Sequence, residues 1–178
     1  MTLGRGSILV LVALLWSVPP HALASPPQRQ SLEYSVKANY LVRFAAFVEW
    51  PQRSFATNQS PVVICVVGRD PFRGGLERAA RAQTAYGRPL AVRHPGTAEA
   101  AAGCHILYVG QGGGRLVPDG ARPILLVTDA AVSAERGVIH FVISDERVRF
   151  HIDLQTASRS GLSINSRLLN LALSVRGG

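Results

Sequence analysis

The groups best suited to chemistry in this chain are four of its five histidines (His21 lies near the start), two aspartates that follow apolar runs, and a glycine cluster. His94, His105, His140 and His151 carry imidazoles, which titrate near neutrality and bind metals. None stands in a His-Glu-x-x-His arrangement, so the zinc-helix chemistry of that motif is not encoded. Asp70 and Asp129 each come just after an apolar strand-like run. Ligands of open α/β sheets gather at such strand ends, so Gly68, Asp70, Gly110, Thr128 and Asp129 make a candidate ligand rim. Capping the segments that follow is the plainer role for both aspartates, and the favoured one. Gly110-Gln111-Gly112-Gly113-Gly114 begins like a dinucleotide fingerprint, but Arg115 stands where its last glycine belongs. Pro118-Asp119-Gly120 then follows, which is loop chemistry, and no Gly-Lys-Ser or Gly-Lys-Thr cradle for a triphosphate is present. The cluster reads as a mobile connection. With no Gly-x-Ser-x-Gly elbow and no carboxylates paired at helical spacing, no catalytic set assembles. The reading is a non-enzyme with no cofactor and no metal site.

The start of the chain resembles an export leader. Arg5 gives a positive n-region, Ile8 to Leu15 a short apolar run, and Ala22-Leu23-Ala24 a small-x-small site, so cleavage is expected after Ala24. A membrane anchor is the weaker reading, because a span takes roughly 20 apolar residues and Pro19-Pro20 interrupts the run. Residues 1–24 are therefore assigned to a signal peptide, 25–30 to a flexible mature N-terminus and 31–178 to one soluble domain in the periplasm. In that oxidising compartment Cys65 and Cys104, the chain's two cysteines, are most simply one disulfide. The formal charge is +8, and +7 once Arg5 leaves with the leader, nearly all of it arginine. Nucleic acid is not the expected partner outside the cytoplasm. Acidic protein surfaces or lipid headgroups fit better, beside the plainer reading of a solvated basic surface.

The elements that position these groups alternate. Leu32, Val36, Tyr40, Phe44, Phe47 and Val48 recur at three and four, giving a core-facing helix that Pro51 ends at Trp50. Glu33 falls in its expected first turn, where a carboxylate suits the helix dipole. Strands are expected at 62–67, 88–93, from 104 and at 124–128, with helices at 76–83 and 97–102 and a helical turn at 130–135. Apolar runs alternating with short helices predict an α/β fold: one compact domain, a mixed sheet with parallel βα units, a C-terminal antiparallel hairpin and flanking helices.

Residues 138–152 carry that hairpin. A turn centred on Asp145-Glu146 sets Ile143 opposite Val148, Phe141 opposite Phe150 and Ile139 opposite Ile152, all on one face. The other face then holds His140, Arg147, Arg149 and His151, expected in solvent as a candidate partner-binding surface. His140 opposite His151 is also a pairing able to sense pH or hold metal, though beside two arginines it reads as surface. Asn165 is expected to cap a last helix through Leu168, Leu169, Leu171, Ala172, Leu173 and Val175. Apolar almost all round, that helix is expected to be buried or to make a subunit contact, leaving a homodimer open.

The spelling adds what periodicity does not. Lys37-Ala38, Tyr40-Leu41, Phe44 and Phe47-Val48-Glu49-Trp50-Pro51 resemble the opening of the YfiR family of periplasmic regulators. The likeness continues in order through Ile64-Cys65-Val66-Val67-Gly68, Asp70-Pro71-Phe72, Gly87-Arg88-Pro89-Leu90 and Cys104 to Val109. Val127-Thr128-Asp129, Gly137 to Val142, Arg147 to Phe150 and Gly161 to Leu169 complete it. The resemblance implies a disulfide between Cys65 and Cys104; a second pair that some members carry has no counterpart here. It implies a non-enzymatic repressor that engages the sensory domain of an inner-membrane diguanylate cyclase, lowering cyclic di-GMP and biofilm formation. A related membrane receptor and an outer-membrane lipoprotein are the other partners it suggests. A periplasmic small-molecule binding protein using the strand-end rim is the alternative.

Overall fold

The computed structural model describes residues 26–177. Helix α1 (Pro26–Phe44) is followed by the short strand β1 (Val48–Glu49), then β2 (Val62–Val67) and α2 (Gly75–Arg81). Strands β3 (Thr84–Ala85) and β4 (Arg88–Arg93) lead to α3 (Ala98–Ala101) and β5 (Ile106–Val109). Next come β6 (Leu125–Asp129), β7 (Ile139–Ser144), β8 (Arg147–Asp153) and α4 (Leu154–Arg159). The chain ends with β9 (Ser163–Ile164), α5 (Ser166–Leu169) and β10 (Ser174–Arg176).

Eight strands form one mixed sheet in the order β10-β8-β7-β6-β5-β2-β4-β3, while β1 and β9 pair antiparallel beside it. The centre, β4-β2-β5-β6-β7, is parallel. Strands β2 and β5 are apolar on consecutive residues and buried throughout because both of their faces are covered. Val62, Ile64 and Val66 join the main core with Ile106, Tyr108, Val127, Phe141 and Phe150, under α1 and α2. Val63, Cys65 and Val67 point the other way, into a smaller cluster with Ala101 of α3 and Leu107. The domain is single and mixed α/β, with the C-terminal hairpin in place.

The hairpin has the register read from the sequence: Ile139 with Ile152, Phe141 with Phe150, Ile143 with Val148. Its tip is a two-residue turn with both Asp145 (φ 50°) and Glu146 (φ 58°) left-handed, the geometry that glycine and asparagine favour. The packing of its faces differs from expectation. Ile143 is 51% exposed because the tip runs past the core, whereas His140 is 4% exposed.

Helix α1 begins at Pro26, so residues 26–30, read as a flexible lead-in, belong to its first turns. Glu33 accordingly lies in the helix interior. Of the expected stripe, Phe44 and Val48 are buried and Tyr40 and Phe47 pack against the core, but Leu32 is 68% exposed, and Lys37, Ala38 and Leu41 join the buried face. The helix stops at Phe44, and Val48 and Glu49 turn into β1. The helical turn expected at 130–135 is a single turn at residues 130–132, closed by Val132 N and Ser133 N donating to Asp129 O, and α4 follows the hairpin where no element was foreseen. The largest change is at the C-terminus. Asn165 does cap a helix, its side chain accepting from Arg167 N, but α5 ends at Leu169. Leu173 N then donates to Phe150 O, and β10 joins the sheet parallel to β8. The expected leader, residues 1–24, lies outside the described residues.

Candidate functional site

A buried charge cluster sits where α1 crosses the ends of β5 and β6. Lys37 Nζ lies 2.6 Å from Asp129 Oδ2, with both side chains essentially out of water, and it also pairs with Glu33 one turn earlier. Tyr108 Oη donates to the same Asp129 oxygen at 2.9 Å. Asp129 Oδ1 accepts from Ala131 N, so the carboxylate also performs the turn-capping role read from the sequence. The ammonium rests over the Tyr34 ring, 4.9 Å from its centroid, a cation–π contact inside the core. Burial first, and then the Asp129 carboxylate, push the Tyr108 phenol far above its usual range, so it remains a donor. The chain's one lysine was the available sequence signal: it stands on the helix face that carries Tyr34, Leu41 and Phe44.

The rim residues divide. Asp70 and Gly110 line an open cleft of about 540 Å³ beside this cluster, together with Tyr34, Arg69, Arg73 and Arg78. Three guanidinium groups against one carboxylate make its walls basic. Gly68 is a backbone device: with φ at +78°, a Cβ there would lie 2.6 Å from both Gln111 O and Gly113 N. That close approach lets Arg69 and Gln111 bridge the loops after β2 and β5. Gly110 is equally crowded, its Cβ position 2.3 Å from Arg69 O. Asp129 and Thr128 are buried and engaged elsewhere, so the five rim residues do not converge on one cavity.

Thr128 belongs to the opposite face of the sheet. Its Oγ1 accepts from Gly137 N and lies 2.8 Å from His140 Nδ1. This corrects the hairpin surface, since His140 is packed against β6 under the 130–137 turn and is not available to a partner. Burial first, then Arg136, lower its pKa below the ordinary histidine value. Farther from β6 the same face opens. Arg147 is exposed, Arg149 and His151 are half-buried, and His151 Nδ1 meets Ser174 Oγ of β10 at 2.6 Å. Arg176 pairs with Asp153 and extends the basic strip. Along its edge Leu171, Leu173 and Val175 are exposed.

The remaining buried imidazole, His105, is a structural hub. Its Nδ1 accepts from Val63 N at 3.1 Å and its Nε2 faces Ser54 O at 3.0 Å. Phe55 stacks on the ring, and Trp50 Nε1 donates to the His105 carbonyl. Nearby, Cys65 and Cys104 are joined in a disulfide that ties β2 to the entry of β5, with their Cα atoms 5.9 Å apart.

No helix among the described residues is long and apolar enough to cross a membrane. The chain belongs to the YfiR/HmsC-like family (DUF4154), whose model matches residues 34–173. The family is regulatory, non-catalytic and periplasmic, interacts with a membrane receptor, and is associated with control of diguanylate cyclases. Comparison with curated proteins finds no match.

Proposed function

We propose that this protein binds the periplasmic sensory domain of an inner-membrane diguanylate cyclase and holds it inactive, lowering cyclic di-GMP and biofilm formation. The family match over residues 34–173 carries the reading. On this reading the first 24 residues are a leader cleaved after Ala24, and the protein works without a catalytic set. A repressor changes its receptor's output only by binding the inactive state more tightly than the active one. The strip of Arg147, Arg149 and His151, with Arg176 of β10 beside it, is the surface suited to an acidic receptor face. An outer-membrane lipoprotein that competes for the repressor, and self-association through the exposed edge of β10, fit the same surface. Deleting the gene is expected to raise cellular cyclic di-GMP, and periplasmic re-expression to lower it. Unchanged nucleotide levels in both strains would overturn the proposal.

The 540 Å³ cleft supports a second reading, a periplasmic small-molecule sensor, because its walls combine Arg69, Arg73 and Arg78 with the Tyr34 ring. Tight binding of an anionic metabolite by the purified protein, together with no effect of deletion on cyclic di-GMP, would favour it.

A further inference from the structure

Asp70, Glu77 and His94 come from three separate segments: the turn after β2, helix α2, and the residue just beyond β4. One ligand atom from each lies within 4.8 Å of the others. His94 Nε2 is 3.5 Å from Asp70 Oδ2 and 3.6 Å from Glu77 Oε1. Both distances exceed those of an N–H···O hydrogen bond, about 2.7–3.2 Å. They match instead the separation of two ligands around a tetrahedral zinc, about 3.3–3.6 Å for metal–ligand bonds of about 2.0–2.2 Å. We infer that Asp70, Glu77 and His94 form a binding site for a divalent transition-metal cation of the zinc type.

Each ligand has a free hand for the metal. Asp70 uses Oδ1 to accept from Phe72 N at 2.7 Å, which fixes its rotamer and leaves Oδ2 facing His94. Glu77 turns Oε1 toward His94, and its other oxygen, Oε2, is buried without a hydrogen-bond partner, so that oxygen anchors the carboxylate to no other group. Eighteen arginines are present in this chain, yet the ion pairs that either carboxylate makes among the described residues are with His94 alone. Two carboxylates held facing each other repel, so an ion between them removes a cost as well as adding bonds. The side chains are 28–45% exposed, which gives the ion a path in and leaves a fourth position for water. Two oxygens and one imidazole nitrogen suit zinc and its neighbours in the series better than softer ions.

The ion would link the β2 turn, α2 and the end of β4, beside the cleft that Asp70 helps to line. The site stands apart from the repressor reading and does not depend on it. The linear sequence hides it because the ligands lie 7 and 17 residues apart, in no repeating motif.

The test uses tag-free mature protein stripped with EDTA and titrated with ZnCl2 by calorimetry. One ion per chain is expected, with affinity falling at least tenfold in His94→Ala and again in Glu77→Gln. CoCl2 should give the visible bands of tetrahedral Co2+ in the wild type and lose them in both variants. Circular dichroism confirms that these partly exposed replacements leave the fold intact. No zinc binding, or equal binding in wild type and both variants, would overturn the site. The cluster would then be a polar contact among three side chains with no metal role.

Discussion

Lys37 Nζ and Asp129 Oδ2, 92 residues apart in the chain, meet at 2.6 Å inside the core and clamp α1 to the C-terminal end of β6. Removing one partner of such a pair strands the other charge in low dielectric. Lys37→Met and Asp129→Leu are each expected to cost about 3–5 kcal/mol in urea unfolding. The double variant is expected to lose less than the sum, because both changes remove the same ion pair, while Tyr108 Oη still loses its acceptor and Glu33 its cation. Strict additivity of the two changes would show that the pair is not coupled.

The Cys65–Cys104 bond spans 39 residues of sequence. Replacing both cysteines with alanine should lower stability by about 3–4 kcal/mol in the chain-entropy account. Thiol titration of denatured, unreduced protein should find no free thiol. Two reactive thiols in protein collected from an oxidising compartment would contradict the bond.

His105 must be neutral for Nδ1 to accept from Val63 N, and burial above all lowers its pKa below 6.5. The unfolded chain therefore takes up this proton at higher pH than the folded one. The stability it contributes is complete above about pH 6.5 and is lost as pH falls through the folded-state value. His140 is shifted in the same direction, again chiefly by burial. Urea midpoints should fall as pH drops below about 6.5, and less steeply in His105→Gln. An identical pH dependence in that variant would remove His105 from the account.

Gly68 and Gly112 both have φ near +78°, but only Gly68 is enclosed by backbone. Gly112→Ala should cost about 1–2 kcal/mol, the price of a left-handed alanine. Gly68→Ala should cost clearly more, because its methyl meets the 110–113 loop. Equal losses in chemical denaturation would show that the loop yields.

Arg147 and Arg149 lie on the open part of the hairpin. Reversing both to glutamate should leave the thermal midpoint within a few degrees of wild type. On the repressor reading it should raise cyclic di-GMP toward the level of the deletion strain. Full repression by this variant would move the receptor contact elsewhere, with the exposed Leu171, Leu173 and Val175 edge the next surface to test.

Much of the fold was legible in the order of residues. The hairpin register follows from alternation alone, because a slip of one residue would turn Phe141 and Phe150 outward. The parallel strands were readable because burial on both faces leaves apolar runs such as Val62 to Val67. What the tertiary structure decided is where those local patterns meet other chain segments. Lys37 lies in the core because its counter-charge arrives from residue 129, which no helical periodicity records. His140 is buried because the 130–137 turn covers one half of a hairpin face whose other half stays wet. Leu173 to Arg176 leave a helix-prone sequence because β8 offers an unpaired edge, and the bonds gained there outweigh a weak local preference. Sequence alone set the alternation and the strand pairing of neighbours; only the assembled sheet chose which polar groups would be enclosed, since enclosure depends on partners brought together by the whole fold.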